Sequence, residues 1–202
     1  ITVVFLVYVG LSIKDIRKVI NSFILFVLSI LIINGQGFVL NNILTPKQKQ
    51  RVETLINPSS DPLGSGWNIT QSKIAIGSGG VFGKGFLKGT QTGLNFVPIQ
   101  STDFIFSVIG EEFGYLGSMI FIILYVIFLY RILILSEAQK DRFARVFGYS
   151  VFSIFLFHFT INVSMTLGLF PVIGIPLSLI SYGGSSLLSF SLLLFVFLKL
   201  NG

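Results

Sequence analysis

Residues 113–130 read FGYLGSMIFIILYVIFLY, an unbroken run with no charged side chain. A helix that spans a bilayer needs about 20 mostly apolar residues. The run is rich in Leu, Ile and Phe and lacks period-two alternation, so it predicts a helix rather than a barrel strand. Residues 1–13, 19–46 and 146–198 are also free of Asp, Glu, Lys and Arg. Only 22 of 202 residues are charged, or 11%, where soluble domains carry about a quarter. Hydrophobic residues make up 52% and the mean hydropathy is +0.87. A soluble domain of this size cannot bury four such stretches and still clothe its surface in polar groups. The expected fold is an all-α polytopic membrane protein forming a single membrane domain over residues 1–202. Its spans are the end of one helix at 1–13, then about 19–40, 104–135, 143–168 and 179–200.

The distribution of charge sets direction. The connector at residues 14–18 carries Lys14, Arg17 and Lys18, and the connector at 131–145 carries Arg131, Lys140, Arg142 and Arg145. The loop at 169–178 carries none. By the positive-inside rule the first two lie in the cytoplasm, which puts the loop at 41–103 outside the cell. The net charge of +6 is then a topology signal, and nucleic-acid binding is a poor explanation for it. Cysteine is absent and there is one histidine, which excludes thiol chemistry and argues against a His-rich metal site or a Ser-His-Asp triad. The chain opens on Ile1 within an apolar run, as a piece cut inside a membrane span would.

An outer loop of some 60 residues is far longer than the usual connection and marks a functional element. Asn57-Pro58 and Asp61-Pro62-Leu63-Gly64 are turn initiators. Residues 69–76 suggest a short amphipathic helix lying along the membrane. The run GSGGVFGKG at 77–85 fails the Walker A spacing, because Gly79 and Gly83 enclose three residues and Gly85 follows Lys84. It also lacks the strand that precedes a dinucleotide fingerprint. Two explanations stay open for it. Backbone N–H groups around Gly79 and Gly80, with Lys73, Lys84 and Lys88 nearby, suit a diphosphate or lipid head group. Alternatively, the glycines serve a turn.

Asp103 ends the loop in the sequence Ser101-Thr102-Asp103-Phe104. It is either a helix N-cap together with Thr102, or a partly desolvated carboxylate able to accept a proton from a hydroxyl. Glu111 and Glu112 would lie roughly 12 Å deeper along the helix. Carboxylates at such depth are functional by default, or are paired with a basic residue or backbone amides from another element. His158, Asn162 and Thr166 recur at every fourth position and predict interhelical hydrogen bonds. Ser181, Ser185 and Ser189 have the same spacing and predict close approach of a neighbouring helix.

Four segments together carry a resemblance: NPSSDPLGSGWNITQSKIAIGSGGVFGKGFLKGTQ at 57–91, TDFIFSVIGEEFGYLG at 102–117, PVIGIPL at 171–177 and ISYGGSS at 180–186. They resemble the SEDS family of bacterial membrane proteins (RodA, FtsW, SpoVE), and GTQTGLNF at 89–96 is nearer to the RodA branch. The resemblance implies a ten-span fold of which this chain is the C-terminal five. It implies a peptidoglycan glycosyltransferase that polymerises lipid II into glycan strands on the outer face of the cytoplasmic membrane. The partners implied are a class B penicillin-binding protein, the nascent glycan strand and membrane lipids. The family's essential loop carboxylate falls on Asp103. Departure of a polyprenyl diphosphate needs positive charge, or a divalent cation such as Mg2+ or Mn2+, on the leaving oxygens. Lys73, Lys84 and Arg51 are the candidates, Lys73 first because it lies in QSKIAIGSGG, with Gly79 and Gly80 alongside and Gln71, Glu111, Glu112 and Ser185 in support. Many members carry Pro-Glu-x-His before the Thr-Asp pair, whereas this chain reads Pro98-Ile99-Gln100-Ser101. A lipid II flippase and a non-catalytic scaffold of the wall-synthesis complex are the competing functions.

Overall fold

The computed structural model describes residues 44–94 and 96–201, which are helical with no strand among them. The helices are α1 (Pro46–Ile56), α2 (Ser65–Ser78), α3 (Thr90–Gly93), α4 (Ile105–Glu137), α5 (Arg142–Thr166) and α6 (Gly184–Asn201). Backbone packing divides the chain into two compact units, residues 1–50 and 51–202, and the second holds everything discussed below. The two spans expected at 1–13 and 19–40 lie outside the described residues.

α4 and α5 are long and apolar enough to cross a membrane, and α6 contributes a shorter apolar stretch, Gly184–Leu200. Their starts follow from local chemistry. The Asp141 carboxylate accepts from Ala144 N at 3.2 Å and caps α5. Asp61 does similar work for α2, where its Oδ2 accepts from the N–H and hydroxyl of Ser65 at 2.8 and 3.0 Å. The turn expected at residues 61–64 is therefore the launch point of a helix longer than the 69–76 segment foreseen. Aromatic side chains join the three long helices. Tyr125 of α4 stacks on Phe159 of α5 with ring centroids 4.1 Å apart, and Phe155 of α5 packs on Phe190 of α6 at 5.5 Å. Meanwhile Ile120, Leu124 and Ile127 of α4 stand exposed, as a hydrocarbon-facing surface requires.

Three boundary expectations are corrected. The N-cap position of α4 is Phe104, with no side-chain capping bond, so neither Thr102 nor Asp103 serves as the cap. α6 begins at Gly184 rather than near 179, because the chain turns through residues 178–182 with Leu179 at φ +67°. Ser181 consequently precedes the helix, and Ser185 and Ser189 are exposed rather than set against a neighbour among the described residues.

The element that organises the outer segment is a break in α4. Gly114 has φ +67° and ψ −161°, which takes the backbone out of the helix for one residue. Carbonyls of Glu111 and Glu112 thereby lose their usual partners, the N–H groups of Tyr115 and Leu116. The glycine-rich run replaces both sides of the exchange. Lys84 N and Gly85 N donate to the carbonyls of Glu111 and Glu112 at 3.0 and 2.9 Å. Tyr115 N and Leu116 N donate to the carbonyls of Gly80 and Val81 at 2.9 and 3.1 Å. Four backbone groups that would be costly to leave unpaired are thus satisfied. Only glycine tolerates this approach: a Cβ at Gly83, whose φ is +79°, would stand 2.1 Å from the Glu112 carbonyl oxygen.

Candidate functional site

Asp103 sits in the turn just before α4, where two hydrogen bonds stitch residues 101–102 to the chain between α5 and α6 and a third ties Asp103 to α5. Tyr182 N donates to Ser101 O at 2.8 Å. The Ser181 hydroxyl donates to Thr102 O and itself accepts from Leu177 N at 2.7 Å. Asn162, fully buried on α5, donates its side-chain amide to Asp103 O and to Ile175 O, both at 2.8 Å. The middle of the polar stripe on α5 thus holds a loop and a carboxylate-bearing turn in register. Its other members also bond outward: His158 Nδ1 lies 3.4 Å from Pro176 O, and Thr166 O accepts from the Ser72 hydroxyl of α2 at 2.8 Å. The interhelical bonding expected of the stripe is corrected: the side chains of Asn162 and His158 reach loop carbonyls, and the Thr166 hydroxyl bonds to Val163 O of its own helix at 2.8 Å, only its main-chain carbonyl meeting α2.

The backbone is pinned, but the carboxylate is half-exposed. Oδ2 of Asp103 lies 3.2 Å from the position a Cβ would occupy at Gly174, so the loop meets the carboxylate at a glycine. Burial pushes the Asp103 carboxyl above its ordinary range, and the hydrogen bond from the Thr102 side chain pulls it partly back. The other end of the loop meets a cation. At Gly168 an added Cβ would stand 2.2 Å from Lys73 Cε and 2.6 Å from Nζ, so the lysine lies directly over the glycine backbone. The Lys73 ammonium is exposed and has no hydrogen-bond or ion-pair partner among the described residues. A carboxylate of raised basicity and a free ammonium therefore flank one short loop, residues 168–174.

Lys84 and Glu111 are used differently. Glu111 is fully buried, and its Oε1 accepts from Lys84 Nζ at 2.6 Å, Thr90 N at 2.8 Å and Gln91 N at 2.9 Å. Oε2 accepts from Thr92 N at 2.8 Å. Of the two explanations for a deep glutamate, pairing with a lysine and backbone amides is the one observed. The GTQ segment supplies those amides, a purpose that no spacing rule announced. The anion cradle expected at Gly79 and Gly80 is corrected as well. Their N–H groups point to the carbonyls of Ile76 and Gly77, and those of Gly83, Lys84 and Gly85 to Gly79, Glu111 and Glu112. Five amides of the run are thereby committed to backbone carbonyls.

The remaining candidates are dispersed. Arg51 is exposed on α1, and Gln71 is buried in α2. Ser185 is exposed in the first turn of α6. Glu112 is 7% exposed, and its side chain has no hydrogen-bond partner among the described residues. No three His, Asp or Glu side chains group together among the described residues to hold a metal ion. Asn162 is the site residue whose weight the sequence did not convey, since a buried asparagine on a membrane helix reads first as packing glue. Asn162→Ala should leave the helices assembled yet let residues 101–103 drift from the loop. We expect kcat of the full-length protein to fall on the order of 10-fold, as misplacement of a reacting group costs, with melting temperature lowered modestly.

Similarity to known proteins now bears on this arrangement. The sequence profile of the cell cycle protein family FtsW/RodA/SpoVE matches residues 1–201. The chain belongs to this family. Peptidoglycan glycosyltransferase RodA of Treponema pallidum (strain Nichols) is 49% identical over 145 residues, covering 72% of this chain and 34% of that protein. Peptidoglycan glycosyltransferase MrdB of Escherichia coli (strain K12) is 48% identical over 141 residues, 70% of this chain and 38% of that one. Stage V sporulation protein E of Bacillus subtilis (strain 168) is 36% identical over 156 residues, covering 77% and 42%. The chain thus spans a third to two-fifths of the length of these family members. A solved structure described as "Structural coordination of polymerization and crosslinking by a peptidoglycan synthase complex" matches with a TM-score of 0.66 and 29% identity, over 98% of this chain and 53% of that one. The family assignment, the RodA-like character and the helical membrane fold expected from the sequence all hold.

Proposed function

We propose that this chain carries the catalytic carboxylate and part of the diphosphate site of a peptidoglycan glycosyltransferase that polymerises lipid II outside the cytoplasmic membrane. The observation that carries the proposal is the placement of Asp103 and Lys73 at the two ends of the same loop. In the reaction an acceptor sugar hydroxyl attacks the anomeric carbon of the donor. The O–H proton passes to the Asp103 carboxylate, a new C–O bond forms, and the old C–O bond breaks with its electron pair leaving on the diphosphate. A carboxylate held above its ordinary pKa is a better base than a fully solvated one. Lys73 offers an uncommitted positive charge to the departing oxygens, and Arg51 is a second exposed cation.

The positive-inside distribution supports an extracytoplasmic position for residues 41–103. A class B penicillin-binding protein is the crosslinking partner we infer, consistent with the synthase complex that the chain resembles. A transporter leans on a titratable glutamate pair, but Glu111 is spent on Lys84 and three amides. Purified full-length protein should convert lipid II into glycan polymer without nucleotide, and the same assay with and without EDTA tests whether a divalent cation assists the departing diphosphate. Transbilayer movement of lipid II with no polymer would favour the flippase, and neither activity with retained penicillin-binding protein would favour the scaffold.

A further inference from the structure

Phe106 and Phe121 are 15 residues apart in sequence, yet their ring centroids lie 6.1 Å apart. A continuous helix would separate their backbones by about 22 Å. The break at Gly114 therefore makes α4 V-shaped, with a short limb, residues 105–113, folded back toward the long limb, residues 115–137. Asp103 stands just before one end of the short limb. Glu111 stands near the apex, about 12 Å from Asp103 along the limb. The apex is held by the glycine-rich run, through Lys84 N and Gly85 N. At the other end Phe104 is buried in a small apolar cluster with Ala75 of α2 and Val97. Between these ends α2 meets the limb through glycine. A Cβ at Gly79, which closes α2, would stand 2.1 Å from Gly110 O and 3.0 Å from both Cα and the carbonyl oxygen of Glu111. All three are backbone atoms, which no change of rotamer can move aside. Gly79 has ordinary helical angles, φ −69° and ψ −24°, so its position calls for space and not for conformational freedom. Reciprocally, a Cβ at Gly110 would lie 2.9 Å from Ile76 Cγ1 of α2.

We infer that the backbone contact between Gly79 and Gly110 sets the position of Asp103, so that both glycines are positioning residues acting through the short limb. The inference rests on the proposed glycosyltransferase reading, which makes the place of Asp103 matter, and it adds what fixes that place. The hydrogen bonds of residues 101–103 hold the turn against α5 and the loop that follows it. The glycine contact fixes the separation of the limb from α2, and with it how closely Phe104 seats on Ala75 beside the carboxylate. A methyl group at position 79 has to part α2 and the limb by on the order of 1 Å to reach ordinary contact. A displacement of that size at a reacting group costs on the order of 10²-fold in rate.

The test uses full-length protein in nanodiscs, read by lipid II polymerisation across pH and by hydrogen exchange at the amides of Thr102, Asp103 and Phe104, which bond to Ile99 O. Gly79→Ala should lower kcat on the order of 10²-fold and leave KM within about two-fold of native. It should also move the acid limb of the rate to lower pH, as water reaches the carboxylate, and speed exchange at the three amides. Gly110→Ala should act in the same direction but more weakly, because the Ile76 side chain can yield, and adding Ile76→Ala should restore the rate. This pair carries the test if Gly79→Ala fails to fold. Gly77→Ala lies on the same helix with nothing within 4 Å of the added methyl, and should leave every readout native. A lowered kcat in Gly79→Ala with an unmoved acid limb and native exchange would reduce the contact to a structural one and overturn the inference. So would native kcat in both glycine variants, or a deficit in Gly110→Ala that Ile76→Ala does not relieve. Faster exchange in Gly79→Ala, in a protein whose native form makes no polymer, would overturn the glycosyltransferase reading and leave the positioning contact standing.

Discussion

Glu111→Ala is expected to cost about 3–5 kcal/mol, the range for removing one partner of a buried charge pair, out of a total folding stability of about 5–15 kcal/mol. The size follows from what is stranded. Lys84, whose side chain is 26% exposed, loses its carboxylate, and the N–H groups of Thr90, Gln91 and Thr92 lose their acceptor together. Those groups anchor the segment that repairs the break in α4, so the damage should be local before it is global. Hydrogen exchange at the amides of Thr90, Gln91 and Thr92 should accelerate first, and thermal melting should fall. Lys84→Met should cost clearly less, because the glutamate keeps three amide donors. Equal losses for the two variants would show that the ion pair, and not the amide cluster, holds the strap.

Asp103→Asn is expected to lower the rate of polymerisation by about 10²–10⁴-fold, the contribution typical of a positioned general base, with little change in KM. The same substitution should not weaken the fold. Burial raises the Asp103 pKa, so the folded protein favours the neutral carboxyl. Any stability the group contributes is present below its ordinary pKa and is lost as pH rises through the raised value. At neutral pH the ionised carboxylate is therefore a burden that asparagine removes. The melting temperature of Asp103→Asn should match or exceed that of the native protein at neutral pH, and the difference should shrink on acidification. A variant that is inactive because it unfolds would show the opposite. Opposed effects on rate and stability are the mark of a group kept for chemistry.

What the sequence discloses, and what it withholds, follows from the range of each interaction. Charge-free runs such as 113–130 specify α4 because a bilayer demands length and apolarity, both of which are local. Asp103 stands out as a candidate through its motif, and Lys73 through its place beside the glycines. The purpose of the glycines does not stand out. From their own neighbourhood Gly83 and Gly85 leave a head-group cradle and a plain turn equally open, and only the non-helical Gly114, some 30 positions on, explains them as the repair of a broken helix. The same distance hid the role of the GTQ segment, whose amides answer a glutamate 20 residues away. Asn162 lies 59 positions from Asp103, and no periodicity on its own helix reveals that its amide holds that turn. Long-range hydrogen bonds to backbone leave no side-chain pattern to read.

Whether Asp103 accepts the proton, as proposed, is read from the pH dependence of polymerisation by the full-length protein. The carboxylate must be ionised to act, and its pKa is raised, so the rate should fall on the acid side through a midpoint above the usual Asp value of about 3.9. Asp103→Glu should keep residual activity with a shifted acid limb, and the small residual rate of Asp103→Asn should show no such limb. If the limb persists unchanged in Asp103→Asn, or if that variant polymerises lipid II at the native rate, Asp103 is not the base.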